Sequence, residues 1–418
     1  TAADEAANEA AGRQAGRGEQ QQRGETGDTH LGGLRCVGTE GSTGGWQRPA
    51  QPYTRDNKNQ GAHAHAQLSP VSHPDVRFLA GMQIDIILEA GLPATRVEAL
   101  AVQAERYGIQ TLWVSSFPSR RDPVPALTLA SRATSRIRLG TLPLSPYEVH
   151  PLRIADGLLT LNELSAGRSS VLIGGLGHSV SRVTGLQPVR RVTAVRDCVR
   201  ILKGLDPGST LDYQGDLYSL MNYRAEWATK AAPRIYVGAT FEKMVRMAGG
   251  VADGMMMSDA PLGRLPDIQR WLRDGLAGAG RERRDFRVNN FMAWHVKEDK
   301  AKAQAEARQE LVWRGFLLPW FTETFLDAKT AALVAERKPA FLQAFLAKSP
   351  VIEGVPEAVV DKLVENLTLT GDASDIERIA RHLLTLETAG LDEVALRLHA
   401  DPEDGLRMIG EYLMPALV

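Results

Sequence analysis

A short segment near the middle of the chain, VGATF at residues 237–241, has the residue types of a phosphate-binding turn. It leads from an apolar, β-branched stretch into an amphipathic one, which predicts a strand followed by a helix. Gly238 and Ala239 would let the backbone approach an anion closely, and the helix start would supply unpaired N–H groups aided by the helix dipole. Thr240 could add a hydroxyl donor or cap the helix. An ordinary strand-to-helix turn has the same residue types, so the residues alone leave both interpretations open.

Several other polar residues follow predicted strands and could take part in chemistry. Glu89 ends the segment MQIDIILE and could act as an acid or accept a hydrogen bond, or it could be an exposed loop carboxylate. Ser115 and Ser116 can donate hydrogen bonds but cannot act as general bases unaided. His178, in GGLGHSV, could exchange a proton near neutral pH, or have no role. His150 precedes a proline, which favours a structural helix cap over catalysis.

These residues need a scaffold that gathers strand ends, and from Met82 onward the chain alternates between predicted strands and helices. Predicted strands occupy 82–89, 111–116, 136–144, 169–175, 234–240, 252–259, 285–296 and the end of 370–398. Predicted helices occupy 93–107, 123–133, 152–164, 189–202, 241–249, 266–277, the start of 370–398 and 402–413, with a hairpin at 211–220 that turns at Gly215. Eight strands followed by helices predict an α/β fold, a (β/α)₈ TIM barrel whose site lies at the C-terminal strand ends. A doubly wound sheet is the alternative, but no glycine-rich turn follows the first strand.

Two parts of the chain depart from this alternation. Residues 299–366 predict a helical insertion after the seventh strand, with aromatic residues that suit helix packing, a dimer surface or a substrate-pocket wall: Trp313, Phe316, Trp320, Phe321 and Phe325. Residues 1–81 are predicted to be a disordered, low-complexity tail, because they cannot bury enough apolar surface to offset their ordering entropy. His63 and His65 could form a weak metal site there, although a solvated tail is the simpler interpretation. The barrel domain would then span 82–418, with Met82 as a natural start.

The composition narrows the class of partner. The chain has 418 residues, with 49 Lys and Arg against 50 Asp and Glu, so its formal net charge is −1. This balance gives no electrostatic footprint for nucleic acid or for an anionic membrane. No apolar run reaches the roughly 18–20 residues of a transmembrane helix. Cys36 and Cys198 are the only cysteines, so a disulfide framework or a cysteine metal site is not expected. With no secretory signal, a cytoplasmic protein with a small-molecule substrate is predicted.

Two longer segments carry a family resemblance. The first, SRIRLGTLPLSPYEVHPLRIADGLLTLNELSAGR, resembles the central signature of the luciferase-like flavin and deazaflavin oxidoreductases. The second, PRIYVGATFEKMVRMAGGVADGMMMSD, is similar to the strand, phosphate loop, helix and strand of that family. The resemblance extends over about 82–415, and the nearest subgroup is the one like methylenetetrahydromethanopterin reductase.

The resemblance implies a coenzyme across the barrel mouth, namely coenzyme F420 (F-420, an 8-hydroxy-5-deazaflavin), with FMN as the alternative. The family places the coenzyme phosphate after the fifth strand, and a bulge with a non-proline cis peptide lies behind the coenzyme ring. Alignment puts that peptide at Leu142–Pro143, which predicts a bulge there with Pro143 in either isomer. The residues expected to contact the coenzyme are Ser115, Ser116, Leu142, Pro143, Leu144, Ser145, Gly175, Gly238, Ala239, Thr240 and Gly254.

Departures from the family pattern bear on the reaction. Family members often end the second strand with an acidic residue followed by His or Asn, where this chain has Ser115 and Ser116, so a luciferase-type peroxyflavin mechanism is in doubt. An acidic residue often found after the fourth strand is also missing, and His178 could replace it. The family has a functional acidic residue near the position of Glu89, so the resemblance implies a functional role for this carboxylate. The expected function is hydride transfer between a deazaflavin and a small organic substrate, and the family implies a homodimer. An FMN-dependent monooxygenase and a non-catalytic barrel are the alternatives.

Overall fold

The computed structural model describes residues 81–417. In chain order its strands are β1 (Gln83–Leu88), β2 (Thr111–Ser115), β3 (Arg138–Leu144), β4 (Ser169–Ile173), β5 (Leu211–Gln214), β6 (Ser219–Tyr223), β7 (Arg234–Gly238), β8 (Gly254–Ser258), β9 (Arg287–Val296), β10 (Thr368–Gly371) and β11 (Glu393–Leu398). The α-helices are α1 (Ala94–Arg106), α2 (Pro123–Ala133), α3 (Pro151–Leu164), α4 (His178–Thr184), α5 (Arg191–Lys203), α6 (Glu242–Val251), α7 (Leu265–Gly278), α8 (Lys300–Glu310), α9 (Pro319–Thr322), α10 (Ala328–Glu336), α11 (Lys338–Ala347), α12 (Glu357–Leu367), α13 (Ile376–Thr388), α14 (Pro402–Met408) and α15 (Met414–Ala416).

Within residues 81–417, eight parallel strands close a barrel. Their order is β1–β2–β3–β4–β7–β8–β9–β11, and β11 pairs back with β1. The (β/α)₈ barrel predicted from the sequence is therefore confirmed. Because every barrel strand is parallel to its neighbours, all of their carboxyl ends lie at one end, which we call the mouth. The predicted hairpin is also present, as β5 pairs with β6 and the Gly215 N–H donates to the Tyr218 carbonyl at 2.9 Å.

Side chains alternate between two cores along each strand, as the pleat requires. On β9, Val288, Met292 and Trp294 pack outward against the helix layer, whereas Phe291 packs inward. The inward side chains form a separate cluster inside the barrel: Ile87, Trp113, Leu142, Leu172, Tyr236, Met256 and Ala395. These inward residues are the floor on which anything bound at the mouth must rest.

The insertion differs in detail from the predicted helical stretch. It is broken into five α-helices, α8 to α12, with a 3₁₀ segment at Leu311–Leu317, and it has its own buried core. Phe321 is buried in that core and Trp313, Trp320 and Phe325 pack against it, which supports the helix-packing interpretation, while Phe316 is exposed. The strand β10 was not predicted, because four residues carry too short a pattern. It pairs with the end of β9 beyond the point where β8 stops.

The predicted tail lies outside the described residues, apart from its last position, and so do His63, His65 and Cys36. Across residues 81–417 no helix combines the length and the apolar character needed to cross a membrane. The same part of the chain holds no cluster of three or more His, Cys, Asp or Glu side chains arranged to bind a metal ion.

Candidate active site

The bulge predicted on β3 is present at the mouth. Thr141 pairs with Val171 and Leu144 with Ile173, so two residues of β3 oppose one residue of β4. Leu142 points into the barrel and is only 6% exposed, while Pro143 is exposed on the rim. The Gly174 N–H donates to the Leu144 carbonyl at 2.8 Å and so fixes the bulge to the end of β4.

The peptide bond before Pro143 is trans, as are all peptide bonds among residues 81–417. Of the two isomers left open at Leu142–Pro143, the structure has the trans one. The register shift accommodates the extra residue without isomerisation, and trans is the cheaper X–Pro isomer by about 0.5–1 kcal/mol. Ser145 is buried, and its hydroxyl accepts a hydrogen bond from the Tyr147 N–H at 3.3 Å, which shapes the loop after the bulge.

The predicted phosphate loop, Gly238–Thr240, joins β7 to α6. The Ala239 N–H donates to the Met256 carbonyl at 3.1 Å, which ties the loop to β8. Helix α6 has Phe241 at its N-cap and no side-chain cap, so among residues 81–417 no side chain satisfies its first N–H groups. A Cβ placed on Gly238 would lie 3.8 Å from the Ile173 carbonyl oxygen, an ordinary contact. Protein packing therefore does not require glycine here, and the free N–H groups with the bare backbone fit a bound phosphate.

Gly254 is different, and its assignment as a coenzyme contact is not supported. It is the first residue of β8 and lies at the end of the strand away from the mouth. A Cβ there would fall 2.6 Å from Tyr236 Cε1 and 2.7 Å from the Arg287 carbonyl oxygen. Packing inside the barrel, rather than a ligand, therefore explains this glycine.

Ser115, the last residue of β2, and Ser116, which follows it, make hydrogen bonds within the rim itself. The Ser115 hydroxyl accepts a hydrogen bond from the Ala90 N–H at 2.9 Å, and the Ser116 N–H donates to the Leu142 carbonyl at 2.6 Å. These bonds link the ends of β1, β2 and the bulge. Among the hydrogen bonds of the described residues, the Ser115 hydroxyl acts only as an acceptor, and a hydroxyl can also donate one bond.

Gly175 and His178 lie between β4 and α5, on the same side of the mouth as the bulge. A Cβ on Gly175 would have ordinary contacts, the shortest at 3.4 Å to Arg191 Cβ. His178 is the first residue of α4 and is exposed. No hydrogen bond from another described residue orients its ring.

His150 is a structural cap, as predicted, because its Nδ1 accepts from the Leu152 N–H at 3.2 Å.

Glu89 belongs to a charged cluster that spans the opposite side of the mouth. Arg397, on β11, donates from Nε to Glu89 Oε1 at 2.6 Å. The guanidinium carbon of Arg397 lies 5.6 Å from the centre of the Phe291 ring, and that of Arg314 lies 5.4 Å from the same ring. Arg314 comes from the insertion and pairs with Asp259 at the end of β8, with Nη1 to Oδ1 at 3.1 Å.

Sequence reasoning missed both arginines. Arg397 could have been found from the sequence, because it is an arginine within the largely apolar strand segment EVALRL. A charged side chain that faces the inside of a barrel needs a partner, which would have pointed to the mouth. Arg314 offered no signal, because it lies in a stretch predicted only as helical.

Two buried histidines complete this side of the mouth. The rings of His295 and His399 stack with centres 4.6 Å apart, and His295 Nδ1 lies 2.7 Å from Glu306 Oε2. Burial lowers the pKa of His295 despite the Glu306 carboxylate. Burial and the neighbouring His295 hold the pKa of His399 well below its usual range. Both rings are therefore neutral near pH 7, and neither is a ready proton donor.

Deeper in the barrel, two acidic residues share a polar network. Asp85 Oδ2 accepts from Trp113 Nε1 at 3.1 Å and from Asn289 Nδ2 at 3.0 Å. Glu393 accepts from the Tyr236 hydroxyl at 3.0 Å. Burial, and then the charge of Glu393, raise the pKa of Asp85 to about 8. Asp85 therefore holds a proton at neutral pH, below the floor of the mouth.

Comparison with known proteins agrees with this architecture. A family model described as luciferase-like monooxygenase matches residues 78–393. The chain belongs to the luciferase-like monooxygenase family. Its relatives include the 5,10-methylenetetrahydromethanopterin reductase of Archaeoglobus fulgidus, 26% identical in an alignment of 330 positions that covers 75% of this chain and 93% of that protein. Another is the F420-dependent glucose-6-phosphate dehydrogenase of Nakamurella multipartita, 30% identical in an alignment of 230 positions that covers 50% of this chain and 66% of that protein.

A solved structure supports the luciferase-like fold in three dimensions. The coenzyme F420 dependent tetrahydromethanopterin reductase of Methanopyrus kandleri superposes with a TM-score of 0.71 and 20% identity, over 81% of this chain and all of that one. The resemblance deduced from the two sequence segments is thus confirmed. Because the relatives are reductases and dehydrogenases, the predicted enzyme class, an oxidoreductase, is confirmed as well.

Proposed function

We propose that this luciferase-like protein is a coenzyme F420-dependent oxidoreductase that moves a hydride between the coenzyme and a small organic substrate at the barrel mouth. The observation that carries the proposal is that two features lie on the same rim of the barrel. One is the Gly238–Thr240 loop with the uncapped start of α6, and the other is the bulge on β3. β4 lies between β3 and β7, so the two features are separated by two interstrand spacings, about 10 Å. The F420-dependent relatives support this choice of coenzyme.

The chain's own residues would hold and orient the coenzyme rather than react. The Gly238–Thr240 loop and the start of α6 would bind its phosphate through backbone N–H groups. Leu142 and Pro143 would support its ring from below, since the bulge is locked by the Gly174 hydrogen bond and cannot yield easily. When bound, coenzyme F420 supplies hydride chemistry at C5 of its deazaflavin ring.

The remaining mouth residues would shape the substrate's place. The apolar floor formed by Leu172, Met256 and Phe291 excludes water from beneath a bound molecule. Glu89 would hold Arg397 in position through their 2.6 Å ion pair. His178, which is exposed beside Gly175, would be the group free to exchange a proton with a substrate.

The test is a binding titration of the full chain with oxidised coenzyme F420 and with FMN in parallel. We expect F420 to bind and FMN to bind much more weakly. Gly238→Asp should raise the Kd for F420 by about tenfold or more, since it adds a negative charge where the phosphate would lie. Gly278→Asp is the matched control, because a Cβ at Gly278 meets nothing within 4 Å and the residue ends α7 on the outer layer.

Other results would overturn the proposal in distinct ways. Preference for FMN would assign the protein to the FMN-dependent monooxygenases, and an oxygen-dependent product would then be expected, because a deazaflavin does not readily activate oxygen. Binding of neither coenzyme would indicate a barrel that has lost its cofactor.

A further inference from the structure

Arg314 is a buried cation with an unused hydrogen-bonding edge. Its side chain is 0% exposed, and its Nη1 donates to Asp259 Oδ1 at 3.1 Å. Within the part of the chain that the structure describes, Nε and Nη2 have no hydrogen-bond partner. Buried polar groups are nearly always paired, so two vacant donors on one guanidinium call for an explanation.

The fold holds this guanidinium in place over the mouth. Arg314 lies above Phe291, whose ring faces the barrel interior, and Arg397 approaches the same ring. Asp259 Oδ2 also accepts from the Gly315 N–H at 3.0 Å, so the strand end anchors two successive residues of the insertion. The next residue, Phe316, has a φ of 50°, in the left-handed region that most side chains avoid. Such backbone strain persists only where the surroundings enforce it.

The vacant edge has a definite chemical complement. Nε–H and Nη2–H of an arginine point in parallel and match the two oxygens of a carboxylate or a phosphoryl group. Asp259 occupies Nη1, on the other side of the guanidinium, so no described residue pairs with this buried edge. We infer that Arg314 binds an oxyanion of the substrate, a carboxylate or phosphoryl group, through Nε and Nη2. This inference rests on the proposed function, because it takes the mouth as the place where the substrate meets the coenzyme.

The position of Arg314 favours the substrate over the coenzyme phosphate. The phosphate loop follows β7 and would bind through the start of α6, whereas Arg314 is anchored to Asp259 after β8 and lies over Phe291 of β9. The substrate anion would thus be held on the Arg397 side of the mouth.

The test uses inorganic phosphate and benzoate as probes, titrated calorimetrically into the full chain without coenzyme. The wild-type protein should bind at least one probe at millimolar concentration. Arg314→Lys should weaken that binding by about tenfold or more, because lysine keeps a charge beside Asp259 but lacks the paired donors. Arg308→Gln is the matched control. It removes a cation from the same insertion, but both Nη atoms of Arg308 are already paired, with Glu357 and Asp361 at 2.6 Å each, so binding should not change.

Folding is monitored by thermal unfolding, and Arg314→Gln gives a second variant if the lysine variant is unstable. The inference is overturned if the wild type binds neither probe, if Arg314→Lys binds as the wild type does, or if Arg308→Gln loses as much affinity. The anion that Arg314 binds could belong to the substrate or to the coenzyme. To separate these, Arg314→Lys is titrated with coenzyme F420 and with a deazaflavin that lacks the phosphate-bearing side chain of the coenzyme. If the variant binds complete F420 more weakly but binds the shortened deazaflavin normally, Nε and Nη2 contact the coenzyme phosphate and the substrate assignment is overturned. The probe titration contains no coenzyme, so it tests Arg314 independently of the proposed function. If neither probe binds but F420 does, the inference about Arg314 fails and the proposed coenzyme stands.

Discussion

Replacing Asp85 by asparagine should stabilise the protein, and the gain should grow with pH. Asp85 is 1% exposed, and its neutral form suits the barrel interior because Glu393 already carries a charge nearby. Burial and Glu393 raise the pKa of Asp85 to about 8, whereas the pKa of an aspartate in an unfolded chain is about 3.9. Between these two values the folded state keeps a proton that the unfolded state releases, so rising pH costs wild-type stability.

The magnitude follows from this difference in pKa. Each pH unit between the two values costs about 1.4 kcal/mol, so the advantage of Asp85→Asn should grow by about 4 kcal/mol from about pH 5 to about pH 8. The amide oxygen can still accept from Trp113 Nε1 and Asn289 Nδ2, the two donors that now lie 3.1 and 3.0 Å from Asp85 Oδ2. Urea unfolding followed by tryptophan fluorescence at several pH values measures the free energy of unfolding of both proteins.

A matched control distinguishes burial from a general effect of removing a carboxylate. Asp327 is exposed at the N-cap of α10, and hydrogen bonds from Thr330 lower its pKa. It is ionised in both states across this pH range, so the difference between Asp327→Asn and the wild type should stay constant. The reasoning is refuted if Asp85→Asn is less stable than the wild type at every pH, or if the difference between them does not change with pH.

Three further changes test the packing and electrostatics of the barrel. Gly254→Ala should lower the free energy of unfolding by about 2 kcal/mol, because its Cβ would lie 2.6 Å from Tyr236 Cε1; urea unfolding checks this, and a loss below about 0.5 kcal/mol would contradict it. Tyr236→Phe should cost about 1–3 kcal/mol by the same assay, since Glu393 loses a buried donor, and an unchanged stability would argue against that bond. The pKa of His399 is lower in the folded protein than in the unfolded chain, so on acidification the histidine is protonated in the unfolded chain before it is protonated in the folded one. The free energy of unfolding of the wild type should therefore fall relative to that of His399→Gln as the pH drops below about 6.5. Thermal unfolding midpoints of both proteins measure this fall, and parallel pH profiles would show that His399 does not titrate as described.

Much of the fold could be predicted from the sequence, because the barrel is built from local patterns. The run QIDIIL is buried along nearly its whole length, as a parallel strand covered on both faces should be. The glycine at 215 marked the hairpin turn, since glycine permits a tight turn of the backbone. The bulge at Leu142–Pro143 followed instead from the resemblance of the SPYEVHP segment to the luciferase-like family. The turn from strand to helix at Gly238–Thr240 followed from local sequence, whereas its assignment as a phosphate loop rested on the family resemblance.

The charged half of the mouth was decided by tertiary structure alone. Glu89 and Arg397 are 308 positions apart, and they meet only because β11 pairs with β1 to close the barrel. Asp259 and Arg314 meet because the insertion folds back over the end of β8. Gly238 and Gly254 are one residue type with two explanations, open space at the mouth and close packing inside the barrel. A sequence states which groups are present and how each short segment folds. It does not state which buried charges pair with each other, because the partners come from segments far apart in the sequence. An unpaired buried charge is costly, and only the closed barrel and the folded insertion place the partner that offsets this cost.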